Sequence, residues 1–372
     1  MKTIVLGGYG NFGARICRAL ADWPGIELIV AGRNQAKAAA LAAQCSASSA
    51  VIDIHDPALA QVLTQLGAQI VIHTAGPFQA QGYGVARAAA AAGAHYIDLA
   101  DGRRFVCDFP HALDAAFRAA GRIAIAGAST VPALSSAVVD QLTAGWRSVT
   151  GIDFCIAPAQ TAPRGVATMA AVLGYCGEPI QVWQAGRWVA MHGWEKPVPV
   201  QYKRLRPRIG ALCDIPDLEL FPRHYPGSQS VMFRAALELG ISQRGLAAIG
   251  ALRRAGVIRH PARLAGILNR AADLLDPFGS ALGGMVVRVD GIDAHGAAAQ
   301  AAWHIAADDD HGPEIPCMAA VLLARKIAAG TLTEPGARTS MNLLALAEFA
   351  PEFAKWRMVT DIEPHDQHNN TR

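Results

Sequence analysis

The sequence predicts an α/β fold: a doubly wound parallel sheet, followed by a second, α+β domain built on a mixed, mostly antiparallel sheet. Three observations carry that prediction. Apolar strand-like runs alternate with alanine-rich helical runs through about residue 150, the pattern of a parallel sheet covered on both faces. The first run, Ile4-Val5-Leu6, empties into Gly8-Tyr9-Gly10-Asn11-Phe12-Gly13, the glycine turn between strand and helix that marks a Rossmann-type fold. From residue 146 the pattern changes to longer apolar ladders joined by tight turns, which suits antiparallel pairing.

The opening turn leads to a helix and a second strand over residues 26–32. Its glycines do separate work: one permits the tight turn, one lets the backbone approach a pyrophosphate, and one lets helix and strand pack closely. The helix start offers N–H groups and the positive end of its dipole to phosphate oxygens. Gly8, Tyr9, Gly10, Asn11, Phe12 and Gly13 are therefore expected at a dinucleotide. Where a NAD-selective fold places a carboxylate for the ribose 2′-hydroxyl, this chain has Arg33 followed by Asn34. A guanidinium pairs with a 2′-phosphate through two parallel charge-assisted hydrogen bonds, whereas a carboxylate repels it. The expected cofactor is NADP over NAD; the alternative is that Arg33 is a surface cation opening the next helix.

A helix over 35–45 and a strand over 49–53 follow, with Asp53 and Ile54 ending the strand at the cofactor edge, where ligands sit in open parallel sheets. A helix over 59–66 leads to a strand over 69–73, which runs into Thr74-Ala75-Gly76-Pro77-Phe78. Thr74, Ala75, Gly76 and Pro77 are expected to touch the cofactor beyond its adenosine half. A helix over 83–92, a strand over 95–99 and the acidic turn Asp101-Gly102 come next. A helix over 110–120, a strand over 122–126 and the turn Gly127-Ala128-Ser129-Thr130 complete six βα steps, in a domain expected to span residues 1–135.

Taken together, Gly7 to Gly13, Ala31-Gly32-Arg33, Ala75-Gly76-Pro77-Phe78, Tyr96-Ile97-Asp98-Leu99 and Gly127-Ala128-Ser129-Thr130-Val131-Pro132 resemble the saccharopine dehydrogenase-like family. The resemblance covers the Rossmann part in order and spacing and continues more faintly to the C-terminus. It implies an NAD(P)-dependent oxidoreductase fold with an inserted mixed-sheet domain, in a family whose typical chemistry forms or cleaves a secondary amine. It also implies C-terminal helices that return to the Rossmann half. It does not fix the substrate, because one fold hosts many reactions.

The second domain is expected over residues 136–310. A strand over 148–157, a helix over 168–175, a hairpin over 179–192 turning at Ala185-Gly186, and apolar ladders over 283–289 and 297–306 belong to it. Between them an arginine-rich helical stretch, residues 235–275, carries Arg244, Arg253, Arg254, Arg259, Arg263 and Arg270. It reads as a solvated face or dimer contact, or as an interfacial patch on anionic lipid. Residues 311–362, with a helix over 316–329, form the returning C-terminal helices. The polar tail 363–372 is expected to be disordered, with His365 and His368 a loose end.

Composition excludes several classes. The chain has 372 residues, 33 basic against 30 acidic, and a net charge of +3, which gives no global pull towards nucleic acid or anionic lipid. Although 52 % of residues are apolar, the nearest approach to a membrane span, residues 123–139, is broken by Gly127 and Pro132. The chain opens directly on a core strand without a secretory signal. Seven scattered cysteines fit reduced thiols in a cytoplasmic protein without a metal site. Lysine occurs only at Lys2, Lys37, Lys196, Lys203, Lys326 and Lys355, so no Tyr-x-x-x-Lys pair exists; Tyr83 has only Arg87, which hardly titrates. No GxSxG elbow, GxxxxGK[ST] loop or HExxH pair is present.

Hydride chemistry belongs to the cofactor, so the protein has mainly to position reactants and manage one proton. Candidates lie at the carboxyl ends of strands four to six. Asp98 and Asp101 follow strand five, and either serves as a base if burial raises its pKa; Asp101 before Gly102 equally suits a turn. Tyr96 reads as a donor to a carbonyl or imine, or as core. His73 titrates near neutrality and suits an acid, or points into the sheet. In the second domain Arg164 and Thr168, opening a helix after a proline-rich loop, suit a substrate carboxylate, or a plain helix start. The expected function is NADP-dependent hydride transfer on an amino-acid-derived or imine-forming small molecule. The alternative is a catalytically silent NADP-binding redox regulator. Apolar strands in the second domain point to a homodimer, and nothing points to nucleic acid.

Overall fold

The computed structural model of the chain describes residues 1–364, and its contacts divide the chain into two compact units, Met1–Ser136 with Pro313–Phe349, and Ala137–Gly312 with Ala350 onward. The first unit alternates strand and helix from its start: β1 (Lys2–Leu6), α1 (Asn11–Leu20), β2 (Glu27–Gly32), α2 (Gln35–Gln44), β3 (Ser48–Val51), α3 (Leu59–Gln65), β4 (Ile70–His73), α4 (Gly84–Ala91), β5 (His95–Asp98), α5 (Arg103–Ala119), β6 (Ile123–Ala126) and α6 (Ser135–Leu142), which leads out of the unit. The second unit holds β7 (Ser148–Ala157), α7 (Val166–Tyr175), the hairpin β8 (Pro179–Gln184) and β9 (Arg187–His192), β10 (Val198–Val200), β11 (Arg208–Leu212), α8 (Asp217–His224), β12 (Ser230–Ala235), α9 (Gly240–Arg254), α10 (Ala265–Asp273), β13 (Gly283–Ile292) and β14 (Ala298–Ala307). The chain then re-enters the first unit with α11 (Ile315–Ala328) and β15 (Gly336–Thr339), and leaves it through α12 (Leu346–Lys355) and β16 (Val359–Pro364).

Seven strands form the first sheet in the order β15-β6-β5-β4-β1-β2-β3, every pair parallel. The order reverses between β1 and β4, so right-handed crossovers put α1 and α2 on one face and α3, α4 and α5 on the other. In keeping with that, α3, α4 and α5 touch in series while α1 packs on α11. The inner strands are apolar along their whole length because both faces are covered: every residue of β4 and β6 is buried.

The second sheet is mixed, in the order β10-β11-β12-β7-β13-β14-β16, with the β8–β9 hairpin joined through β8 to β12. The β12–β7 pair is parallel and the other strand pairs are antiparallel. Among the described residues no helix is long and apolar enough to cross a membrane.

Four details differ from the sequence reading. Helix α5 begins at Arg103 rather than at Pro110, which lies inside it; the buried stripe Phe105, Val106, Phe109, Leu113 and Phe117 carries the helix through the proline. Strand β15, unrecognised in the sequence, adds a seventh strand beside β6, because residues 336–339 combine a glycine with polar side chains and show no apolar run. Residues 193–235, left without elements, hold β10, β11, α8 and β12. The C-terminal segment splits: α11 and β15 belong to the first unit, but β16 pairs with β14 in the second sheet, so Glu363 and Pro364 belong to a strand and not to a loose tail. His365 and His368, with the rest of residues 365–372, lie outside the described residues.

Candidate functional site

The candidate site is the carboxyl edge of the parallel sheet, starting at the glycine turn after β1. Gly7 adopts φ +78°, in the left-handed region that favours glycine, and Gly10 N–H donates to Gly7 O at 2.8 Å to close the turn. A Cβ on Gly8 would stand 2.9 Å from Val30 Cγ1 and from Val5 O, and one on Gly13 would stand 2.8 Å from Thr74 Oγ1 and nearer still to Gly7 O. Gly8 therefore seats the turn against β2, and Gly13 lets α1 approach the start of the β4 loop. Gly10 is the N-cap of α1 and supplies no side-chain cap, so the first-turn amides, which have no intrahelical acceptor, are served by no side chain of the cap. Gly10 and Asn11 are exposed and Phe12 is half-buried. This is a slim, open cradle of the kind a pyrophosphate fits.

Tyr9 does something the sequence did not reveal. Its ring crosses Gly32 so closely that a Cβ there would meet it at 2.5 Å, and its hydroxyl accepts from the Asn34 N–H at 2.9 Å. The glycine turn is thus stitched to the end of β2. Asn34 in turn caps α2, its side-chain oxygen accepting from Lys37 N–H at 3.0 Å. Arg33, between these two fixed points, is exposed and makes no ion pair among the described residues. Asp53, beyond the end of β3, is also exposed and accepts from His55 N–H at 3.0 Å; Ile54 is half-buried.

After β4 the chain makes a braced loop. Thr74 Oγ1 donates to Leu6 O at 2.9 Å, tying the loop to β1. Ala75 is half-buried, while Gly76 and Pro77 are exposed; Gln81 Nε2 donates to Ala75 O at 2.7 Å and to Pro77 O at 3.0 Å. Phe78 folds back edge-on against His73, with ring centroids 5.0 Å apart, and against Phe105 at 5.4 Å. Phe78 closes the motif that the sequence offers here, but its role as a cover for His73 does not follow from the sequence, and Gln81 has no sequence motif of its own. For Gln81 the only signal is its place just behind a Gly-Pro pair.

Phe78 of that loop packs on His73, and two of the three proton-handling candidates are buried. His73 and Asp98 face each other across the β4–β5 register and are fully buried. His73 Nδ1 lies 3.1 Å from the Tyr96 hydroxyl, and Tyr96, also fully buried, stacks on Phe109 at 5.8 Å. Burial pushes His73 down to about 4, so its ring is neutral across the physiological range. Burial pushes Asp98 up to about 7, against the pull of two backbone N–H groups. Those groups are Ala100 N–H at 2.9 Å and Gly127 N–H at 2.8 Å, both donating to Oδ1, so Asp98 ties the end of β5 to the end of β6. Asp101 is the exposed member of the three and accepts from Gln79 Nε2 at 2.9 Å.

The second-domain candidates lie elsewhere. Arg164 precedes α7 as expected, but its guanidinium is committed to Asp276 and, at 3.2 Å, to Asp273, and it also donates to Gln160 O. It braces the loop before α7 with its charge already neutralised. Thr168 lies in α7, and its side chain is outside the described residues.

The saccharopine dehydrogenase NADP binding domain matches residues 3–126. In fold the chain is similar to the saccharopine dehydrogenase (L-Glu forming) of Saccharomyces cerevisiae, with a TM-score of 0.68 at 12 % identity over 98 % of this chain and 100 % of that one. It is also similar to the homospermidine synthase of Legionella pneumophila solved in complex with NAD, with a TM-score of 0.59 at 10 % identity over 100 % and 93 % of the two chains. No curated protein matches the sequence. Glycine turn, strand order and domain match agree: residues 3–126 match a saccharopine dehydrogenase NADP binding domain, and the whole chain shares the fold of the saccharopine dehydrogenase and homospermidine synthase structures.

Proposed function

We propose that the chain is an NADP-dependent oxidoreductase acting on an amino-acid-derived or imine-forming small molecule. The observation that carries this reading is Arg33: an exposed guanidinium with no ion-pair partner among the described residues, between a strand end stitched by Tyr9 and a helix capped by Asn34. An arginine with no carboxylate to neutralise it, beside a helix start, suits a 2′-phosphate. The glycine cradle at Gly8, Gly10 and Gly13, which a Cβ would fill, fits the pyrophosphate. Thr74, Ala75, Gly76 and Pro77 would flank the cofactor further along the edge. When bound, the nicotinamide supplies the hydride chemistry.

What the chain itself has to provide is orientation and a proton. Gln81 and Phe78 hold the loop after β4 in one shape. Asp101, exposed at the same edge and oriented by Gln79, is the group we assign to proton transfer, because Asp98 and His73 are closed off. The names of the similar folds, a saccharopine dehydrogenase and a homospermidine synthase, support a substrate with an amine nitrogen next to the reacting carbon. The regulator reading draws on the same burial: two of the three titratable candidates are sealed in the sheet.

Dissociation constants for NADPH and NADH, wild type against Arg33→Asp, test the cofactor assignment. The expected result is tighter NADPH binding in the wild type and a loss of roughly a hundredfold in the variant, the scale of two charge-assisted hydrogen bonds. Equal affinities in the wild type would sink it. Screening amine-plus-carbonyl pairs for NADPH oxidation separates enzyme from regulator, and binding without turnover on any pair favours the regulator.

A further inference from the structure

The exposed apolar surface of the described residues is concentrated in one place. Of the twelve large hydrophobic side chains that are exposed, six fall within residues 241–278, and Ile241, Val257, Ile267, Leu274 and Phe278 are each 68–78 % exposed. Single exposed apolar residues are ordinary, but a cluster on one layer marks an interaction surface.

Helices α9 and α10 rest on one underlying cluster, to which Leu246 of α9 and Ala265 of α10 contribute beside Leu173, Cys176 and Trp194. Each helix turns its outer face away from that shared cluster. On α9 the outer face repeats at helical spacing through Ile241, Arg244, Ala248 and Leu252, all exposed; after it, Arg263, Ile267, Arg270 and Leu274 do the same through α10. Residues 240–272 contain six arginines and no aspartate or glutamate. Arg253 and Arg254 are answered by Glu178 and Glu195, but the side chains of Arg244, Arg259, Arg263 and Arg270 have no ion-pair partner among the described residues. The bordering acids, Asp273 and Asp276, share Arg164, which leaves one net negative charge against four unpaired arginines. The face is thus both greasy and uncompensated in positive charge, although the whole chain is near neutral.

We infer that the α9–α10 layer docks on an anionic lipid bilayer. A second copy is a poor occupant, because a two-fold contact sets arginine-rich face against arginine-rich face with no carboxylate between them. Nucleic acid would answer the arginines and leave the aliphatic side chains and Phe278 in water. A bilayer of acidic lipids takes both: the apolar side chains enter the acyl boundary and the guanidinium groups stay at the headgroups.

The full chain is to be co-sedimented with vesicles of phosphatidylcholine alone and of phosphatidylcholine mixed with phosphatidylglycerol in equal parts. Pelleting is expected with the mixed vesicles only, and should weaken as salt rises. Leu274→Ser with Phe278→Ser, and separately Arg259→Glu with Arg263→Glu and Arg270→Glu, should each lower vesicle affinity by roughly tenfold or more. These residues are exposed, so unchanged circular dichroism and unchanged NADPH binding are expected to certify both variants as folded. Wild-type protein remaining in the supernatant at low salt would overturn the inference. So would equal binding to both vesicle types untouched by charge reversal, or a concentration-dependent dimer abolished by the same substitutions.

Discussion

The two halves of the parallel sheet's carboxyl edge behave differently, although one sequence pattern describes both. On the β1–β2–β3 side the strand ends stay open: Gly10, Arg33 and Asp53 are all exposed. On the β4–β5–β6 side they are closed: His73 is buried against Phe78, Tyr96 against Phe109, and Asp98 against the Ala100 and Gly127 amides. The loops make the difference. The glycine turn lays its Tyr9 ring across Gly32 and leaves Gly10 and Arg33 exposed, whereas the loop after β4 turns Phe78 onto His73 and is braced by Gln81. A residue at a carboxyl edge is therefore available for chemistry only if the loop following its strand leaves it so. Occupying the right position in a βα unit is not enough.

The largest expected effect tests the closed half. Asp98 keeps its proton up to about pH 7 in the folded chain but loses it near its ordinary value of 3.8 when unfolded. Between those values the unfolded state binds fewer protons, so this group's contribution to stability falls as pH rises, by roughly 4 kcal/mol across the interval for one proton. His73 runs the other way. Folded, it protonates only near pH 4, against an ordinary 6.5, so its contribution is full above about pH 6.5 and is lost as pH falls towards 4. In the wild type the two slopes oppose each other and the pair is nearly silent over that window. Asp98→Asn keeps an oxygen for the Ala100 and Gly127 amides and removes one slope. Urea midpoints across the acid range should then rise with pH in the variant and lie flatter in the wild type. Parallel curves would mean that Asp98 is not sealed and that the two halves of the edge are alike.

The open half has its own tight point. Gly13→Ala introduces a Cβ 2.8 Å from Thr74 Oγ1 and nearer to Gly7 O, which forces α1 away from the turn. A stability loss of about 1–3 kcal/mol is expected, together with at least a tenfold loss of NADPH affinity. Asp53→Ala, on the same half but solvent-exposed, should leave the unfolding midpoint unchanged. Calorimetry with and without NADPH reads both quantities. If Gly13→Ala leaves them untouched, the cradle is looser than its distances imply.

Much of this edge was legible in the sequence, and the illegible parts share a cause. Glycine spacing and the Arg33 position are local, so they could be read along the chain, and the alternation of apolar runs placed six of the seven parallel strands. Strand β15 could not be read, because it joins β6 only after more than two hundred intervening residues and has no apolar run of its own. His73 could not be oriented, because β4 is buried on both faces and its alternation carries no information. Arg164 and Arg33 looked alike as anion sites before a helix. What separates them is Asp273 and Asp276, more than a hundred residues further along the chain, where periodicity has nothing to say. Gln81 is a loop residue without a pattern, and Phe78 stands in a motif that does not say which way its ring turns.

The smallest expected effect probes the stitch between turn and strand. Tyr9→Phe leaves the ring lying across Gly32 and removes only the oxygen that accepts from Asn34 N–H. Asn34 is exposed, so water can replace the lost acceptor and the cost should be at most about 1 kcal/mol. Arg33 sits directly before that amide, and freeing the amide loosens the backbone from which the guanidinium reaches. The preference for NADPH over NADH is therefore expected to narrow a few-fold while the affinity for NADH stays the same, measured as the ratio of the two dissociation constants. If the ratio holds, Arg33 is positioned by the Asn34 cap and α2 alone. If instead the unfolding midpoint collapses, the Tyr9 hydroxyl is as structural as Asp98, and the open half of the edge is held together in the same way as the closed one.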